Sequence, residues 1–335
     1  GCGIAIRRAC LGHLNNKYIY QGGEYDLGQL FQIDDITIEA KDKQPEVESQ
    51  LRDMRAMLGQ SNPPDVKVGR QCSNPYDCAF QGHCWANVPD HHVLQLPRVG
   101  KKVIAALEAA GIDDIHDIPI DFPGLNVTQQ MVRDCVVNNR VQINPQISEE
   151  LKQLDYPIHF LDFETFNPAL PLYKGTSSYK IIPFQWSNHI LDEKGNIEHD
   201  EYLHDGFDDP REEFARSLLR SLGHEGSIVV YSAFEASRIK ELMQLLPHLS
   251  DELYELFDRI IDLLKLVRAY CYHPKFHGSF SIKSVLPALV PDLGYKDLEI
   301  NDGGLASIAY AEIVSPDTKS ARREHLRGCL LDYCE

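Results

Sequence analysis

Residues 158–165 read Ile158-His159-Phe160-Leu161-Asp162-Phe163-Glu164-Thr165, an apolar run that ends in two carboxylates separated by one residue. Alternate side chains of a β-strand project to the same face, so Asp162 and Glu164 are predicted to project together while Phe163 turns into the core. Two such carboxylates repel each other unless a cation lies between them, and oxygen ligands suit Mg²⁺ or Mn²⁺. The pattern predicts a two-metal site for phosphodiester hydrolysis. An ordinary strand end with two solvated acids is the alternative.

The composition describes a globular chain of 335 residues, long enough for two or three domains. No apolar run reaches the length of a membrane span and no signal peptide is evident, so we expect a cytoplasmic protein. The first residue is Gly1 and the last residues lie within a helical pattern, so we also expect a fragment of a longer protein. The net charge of −17 argues against a broad nucleic-acid-binding surface, but it allows a nuclease with a local basic strip.

Strand and helix patterns alternate from residue 157 onward, which predicts an α/β layer fold. The predicted strands are 157–162, 181–192, 196–203 and 227–231, and the predicted helices are 210–222, 235–246, 250–270 and 319–335. In the first half we predict strands within 4–20 and 29–40, and helices over 43–59, 126–139 and 147–154. A domain boundary is expected near 150–156.

Glu235 follows the predicted buried strand 227–231 and opens a helix, a usual position for a catalytic group in an α/β sheet. An acidic first-turn residue that favours the helix dipole is the alternative. Asp262 is a further candidate acid, although a solvated position on a helix surface explains it as well.

Three segments resemble the motifs of the DEDD exonucleases of the ribonuclease-H-like fold. Leu161–Thr165 resembles their first motif. Val229–Glu235 resembles the second, with Glu235 where most of that superfamily has Asp. Tyr333 resembles the first residue of the third motif, Tyr-x-x-x-Asp, whose Asp would fall two residues after Glu335.

The resemblance implies a role for each matching residue. Asp162 would bridge two Mg²⁺ or Mn²⁺ ions, Glu164 would bind one of them, and Glu235 would reach the other, through water. Tyr333 would orient the attacking water. Lys283, in a segment that resembles the loop-to-helix region of such exonucleases, could contact phosphate, and a solvated lysine is the alternative.

A second candidate metal site lies in the loop-rich stretch Cys72-x₅-Cys78-x₅-Cys84. Three close thiolates indicate either an iron–sulfur cluster or Zn²⁺, and three unrelated buried thiols are the alternative. Zn²⁺ would take its fourth ligand from His83, His91 or His92. The triplet resembles that of iron–sulfur RecB-like nucleases, including CRISPR-adaptation nucleases. That resemblance implies a [4Fe–4S] cluster, for which Cys2 or Cys10 could substitute as the fourth ligand, and a catalytic core before Gly1.

Residues 96–107 resemble a helix-hairpin-helix, in which backbone N–H groups at a helix N-terminus bind phosphate. Arg98, Lys101 and Lys102 are its candidate nucleic-acid contacts, and a plain helical connector is the alternative.

The order of these parts resembles that of an uncharacterised bacterial family. This resemblance implies that residues 1–92 form a small α+β metal-binding region, the remnant of a RecB-like nuclease with the cysteine cluster. A helix-hairpin-helix-like linker over 93–155 and a ribonuclease-H-like DEDD exonuclease domain over 156–335 would follow. The function implied is a metal-dependent 3′–5′ exonuclease acting on DNA or RNA, with a nucleic-acid end as partner and no membrane. A catalytically degenerate nucleic-acid-binding or scaffold module is the alternative.

Overall fold

The computed structural model describes residues 6–292 and 298–334, and the chain forms two compact units. The first unit comprises Gly1–Trp85 together with Asn167–Lys180. The second comprises Ala86–Phe166 together with Ile181–Glu335.

The first unit contains a two-stranded antiparallel sheet and a long exposed helix. Its elements are β1 (Cys10–Leu14), α1 (Leu27–Leu30), β2 (Phe31–Asp35), α2 (Thr37–Leu58) and α3 (Gln81–Cys84), with a 3₁₀ turn at Arg70–Cys72. The strand predicted for 29–40 is wrong beyond Asp35. The Asp35 carboxylate accepts hydrogen bonds from the backbone N–H and hydroxyl of Thr37, the first residue of α2.

The second unit contains the remaining elements. They are α4 (Lys101–Ala109), α5 (Val127–Val137), β3 (Gln142–Ile143), α6 (Gln146–Leu151), β4 (Ile158–Phe166), β5 (Ile182–Leu191), β6 (Ile197–Leu203), α7 (Arg211–Leu222), β7 (Ile228–Val230), α8 (Phe234–Leu245), α9 (Ser250–Glu255), β8 (Ile260–Asp262), α10 (Leu263–Tyr270), β9 (Cys271–Tyr272), α11 (Ile282–Leu289), α12 (Gly303–Ile313) and α13 (Ser320–Cys334).

A mixed five-stranded sheet organises this unit in the order β6-β5-β4-β7-β8. β5 is antiparallel to β4 and β6, whereas β7 runs parallel to β4 and to β8. The mixed α/β class predicted from the sequence is therefore confirmed. Leu161 and Phe163 of β4 pack with Trp186 of β5 and with the apolar faces of α7 and α8 in one buried cluster.

The single helix predicted over 250–270 is wrong. Residues 260–262 form the edge strand β8, paired in parallel with β7, between the short helices α9 and α10. Asp262 therefore ends a strand, and its carboxylate accepts a hydrogen bond from the Lys265 N–H at the start of α10. The surrounding apolar residues fit a helical stripe or a short buried strand equally well, and pairing with β7 decides between them.

The helical segment predicted as a linker shares a hydrophobic core with residues much later in the chain. Leu96, Leu107 and Val132 belong to the same buried cluster as Tyr272 and Phe276. Helix α5 begins with a capping box, in which the Asn126 side chain accepts the Gln129 N–H and the Gln129 side chain accepts the Asn126 N–H.

Candidate active site

Strand β4 presents Asp162 and Glu164 on the face opposite the one that buries Leu161 and Phe163. Asp162 stays accessible to solvent, whereas Glu164 is 7% exposed. A register shift in the pairing with β5 follows Glu164 directly. Such bulges re-aim side chains at the end of a strand.

Helix α13 covers the same face of the sheet beside these two acids. The cross-strand partners of Asp162 and Glu164 are Ser187 and Gln185. Gln185 Nε2 donates to the carbonyl oxygen of Leu330 at 2.8 Å, and Ser187 Oγ donates to that of Cys334 at 2.8 Å. These bonds fix the last turns of α13 against the sheet next to the carboxylates.

Glu235 reaches the same region from the first turn of α8, which follows the interior strand β7. It is 4% exposed, and its buried Oε2 atom has no hydrogen-bond partner among the residues that the structure describes. Burial raises its pKa to about 7, and the charges of Asp162 and Asp262 contribute in the same direction. A buried carboxylate oxygen without a donor is suited to accept a cation.

The pKa of Glu164 shows that several acids converge on it. Burial, together with the charges of Asp162, Asp302 and Glu235, raises this pKa to about 8, and the nearby Lys283 opposes the rise. The pKa of Asp162 is raised as well. Its side chain reaches solvent, but the surrounding protein atoms desolvate the carboxylate. Ionising these acids together therefore costs free energy, which a bound cation would offset.

Helix α12 adds an element to the site that no pattern in the sequence predicted. Asp302 caps this helix by accepting the Leu305 N–H at 2.9 Å. A Cβ placed on Gly303 would lie 3.5 Å from Glu164 Oε2, so the N-terminus of α12 lies against that carboxylate. The positive end of the helix dipole partly offsets the local negative charge.

The last turn of α13 carries Tyr333 and Cys334. Tyr333 is half-buried. Burial and the charges of Glu164 and Asp162 raise the pKa of the Cys334 thiol, which places this side chain near both acids. Sequence reasoning selected Tyr333 and missed Cys334, since a cysteine beside a tyrosine gives no motif of its own.

The acids fit a divalent cation by chemistry, with a wider spacing than a closed ligand cage. Among the described residues, two groups of three side chains have all their ligand atoms within 4.8 Å of one another, and the predicted acids are in neither group. The two groups are Asp90, His91 and His277, and Glu299, His325 and Cys329. Mutual repulsion favours a wider spacing of carboxylates, which a cation between them would counteract. Asp162, Glu164 and Glu235 would hold such an ion, with Asp262 and Asp302 nearby.

Cys72 and Cys78 lie in a loop that folds back on itself, and Cys84 ends the short helix α3 that follows. The Cys78 N–H donates to the Cys72 carbonyl at 2.8 Å. Cys72 is buried, Cys78 is exposed and Cys84 is half-buried at the end of α3. His83 lies in α3, whereas His91 and His92 belong to the second unit. Cys10 is exposed in β1, and Cys2 lies outside the described residues.

The predicted basic contacts occupy two places in the second unit. Lys101 and Lys102 are exposed in the first turn of α4, whose N-cap Gly100 provides no side-chain hydrogen bond. Arg98 lines a surface depression of about 590 Å³ together with Arg268 and Phe280. Lys283 instead lies near Glu164, and its Nζ donates to the Asn301 carbonyl at 3.3 Å.

None of the helices built by the described residues combines the length and apolar character needed to cross a bilayer. In the comparison with protein families, residues 159–281 match the model of a family described as a domain of unknown function, DUF2779. This stretch includes Asp162, Glu164, Glu235 and Asp262. The searches of curated proteins and of solved structures gave no significant match.

Proposed function

We propose that the second unit is a metal-dependent 3′–5′ exonuclease of the ribonuclease-H-like fold, which hydrolyses phosphodiester bonds of DNA or RNA. The observation that carries the proposal is the convergence of Asp162, Glu164 and Glu235: Asp162 raises the pKa of both glutamates, and Glu235 raises that of Glu164. Asp162 and Glu164 lie on β4 after the residues that pair with β7, and Glu235 follows the carboxyl end of β7. Open α/β sheets bind their ligands at this edge. The mixed sheet with β4 at its centre supports the fold assignment.

Each residue of the site has a role that its surroundings support. Two bound Mg²⁺ or Mn²⁺ ions would supply an activated water and stabilise the leaving oxyanion. Asp162 stays accessible, so its carboxylate could hold an ion that also contacts the scissile phosphate. Glu164 and Glu235 are buried beside it, and Lys283 can balance the charge of an incoming phosphate. Tyr333 on α13 is the candidate for orienting the attacking water.

Two basic features support a nucleic-acid substrate despite the acidic net charge. The uncapped first turn of α4 offers backbone N–H groups beside Lys101 and Lys102, which favours phosphate binding. The depression beside Arg98 contains Phe280, with the Arg268 guanidinium 6.0 Å from the ring centre. Aromatic and guanidinium planes of this kind stack on the bases of single strands.

The test is cleavage of a 5′-labelled single strand with Mn²⁺, using the longest natural form of the chain. We expect stepwise shortening from the 3′ end, and a loss of about 100-fold or more in rate for Asp162→Asn, the range seen when one charge-stabilising group is removed. Asp200→Asn, an exposed acid on β6, is the matched control and should retain full activity. Equal rates for Asp162→Asn and the unmodified chain would refute the proposal.

A second candidate is a nucleic-acid-binding module that has lost catalysis. Glu235 at the second-motif position favours it, because the extra methylene moves the carboxylate relative to an Asp. This candidate predicts that the protein binds the single-stranded nucleic acid without shortening it. Asp162→Asn should then leave the affinity for the nucleic acid unchanged. Titration of the protein with Mn²⁺ separates the two, since only the exonuclease requires the ion to bind at Asp162.

A further inference from the structure

A cluster of three different ligand types lies outside the acidic site, on α13 and on the segment before α12. His325 and Cys329 are four residues apart and so share one face of α13. Glu299 approaches this face, and its Oε2 lies 3.0 Å from His325 Nε2. Cys329 Sγ lies 3.7 Å from Glu299 Oε2 and 3.7 Å from His325 Nε2.

These three distances match the spacing of ligands around one metal ion. The point equidistant from the three atoms lies about 2.0 Å from each, which is the length of Zn–N and Zn–O bonds and slightly less than that of Zn–S. A small displacement out of the plane of the three atoms brings all bonds into range. Cysteine, histidine and glutamate are a ligand set that Zn²⁺ accepts.

The same contacts argue against a catalytic thiol with a histidine base. A nucleophile–base–carboxylate chain uses the two ring nitrogens of the histidine, one for each partner. Here the sulfur and the carboxylate both approach Nε2, so the three atoms converge on one point. Convergence of this kind is the arrangement that a shared ion requires.

The surroundings add a cationic side chain and a candidate fourth ligand. The second oxygen of Glu299 lies 3.9 Å from the Arg322 guanidinium, which donates hydrogen bonds to Glu312. Asp332 lines the same depression of about 640 Å³ on the surface, one turn after Cys329. Its carboxylate can complete a tetrahedral site.

We propose that Glu299, His325 and Cys329 form a Zn²⁺ site, with Asp332 able to supply the fourth ligand. The site joins the segment before α12 to α13. Both elements border the acidic site, through Asp302 and Cys334, so the ion would stabilise the wall of that site. The inference does not depend on the proposed exonuclease activity.

The direct test is alkylation of Cys329 by iodoacetamide in the full chain, measured by peptide mass spectrometry with added Zn²⁺ and with a chelator. We expect Zn²⁺ to slow alkylation of Cys329 on the order of tenfold or more, because a metal-bound thiolate is shielded. Protection should disappear in His325→Ala and weaken strongly in Glu299→Gln. Glu324→Gln, which changes an acid in the same depression that is not a proposed ligand, should keep it.

Two outcomes would overturn the site. Cys329 would be alkylated equally fast with and without Zn²⁺, or its protection would survive both His325→Ala and Glu299→Gln. Binding of Co²⁺ gives an independent readout, because a thiolate ligand produces a charge-transfer band. The absorbance of this band should be lower in Cys329→Ser than in the unmodified chain, because one thiolate site is lost. Equal absorbance in the two proteins would count against the proposal. Circular dichroism identifies any variant that fails to fold, and the measurements on the unmodified chain decide in that case.

Discussion

The buried carboxylate of Glu164 makes the stability of the protein depend on pH in a direction opposite to that of an ordinary surface acid. Its pKa rises from 4.5 to about 8, so the folded state holds a proton that the unfolded chain releases. Between these two pKa values the folded state binds more protons, and the free energy of unfolding therefore falls as pH rises. One unit of pKa corresponds to about 1.4 kcal/mol, so the loss amounts to a few kcal/mol.

We expect the metal-free chain to lose stability between about pH 5 and pH 8, measured by urea unfolding at each pH. Glu164→Gln should remove a large part of this slope, because the amide has no charge to bury. Mn²⁺ should restore stability at pH 8 in the unmodified chain and much less in the variant. An unchanged slope in Glu164→Gln would show that the burial of this carboxyl is not its cause.

At the scale of elements, the close approach between the start of β7 and the residues before β4 depends on a glycine. Gly226 has a φ of +83°, and a Cβ at this position would overlap the carbonyl oxygen of Pro157. The next residue, Ser227, donates its N–H to the Asp155 carbonyl at 2.8 Å and accepts the His159 N–H at 2.9 Å. A side chain at 226 would therefore disturb the parallel pairing of β4 with β7, which brings Glu235 near Asp162.

Gly226→Ala should lower the free energy of unfolding by about 2–4 kcal/mol, from the left-handed backbone and the overlap together. Gly195→Ala is the matched control, because Gly195 has a φ of +86° in the turn after β5 but faces open space. It should cost only about 1–2 kcal/mol. Both values come from urea unfolding midpoints, and equal losses in the two variants would mean that the overlap with Pro157 is relieved.

At the scale of the whole molecule, the net charge of −17 opposes binding of a polyanion, so affinity must come from a few local contacts. Lys101 and Lys102 are the exposed pair best placed for phosphate. Replacing both with Ala should weaken binding of a single strand at low salt. The slope of log affinity against log salt should decrease by about 0.7 for each phosphate that the variant no longer neutralises.

Fluorescence anisotropy over a series of salt concentrations measures this slope. Lys152→Ala is the control, since Lys152 is an exposed lysine whose Nζ lies 2.8 Å from Glu149 Oε1. It should bind with the slope of the unmodified chain. If the double variant also keeps the salt dependence of the unmodified chain, α4 does not contact the phosphates of the nucleic acid.

Local hydrophobic patterns were sufficient to predict the elements that bury a regular stripe of apolar side chains. The strands β4, β5 and β6 and the helices α7, α8 and α13 lie within one or a few residues of their predicted limits. Alternation also placed Asp162 and Glu164 on one face, because the two-residue period of a strand depends only on the backbone. The short strand β8 and the helix α12 were missed. β8 is too short to show a period, and α12 begins with two glycines that disfavour a helix prediction.

The sequence by itself determined which residues could carry chemistry, since the acids, the cysteines and the basic pair are recognised by type and spacing. Tertiary structure alone decided which of them meet. Asp302, Lys283 and Cys334 approach Glu164 from three separate elements, and Glu299 reaches His325 and Cys329 across 26 and 30 residues of chain. Such encounters depend on how the helices pack against the sheet, and local spacing contains no information about distances between residues far apart in the chain.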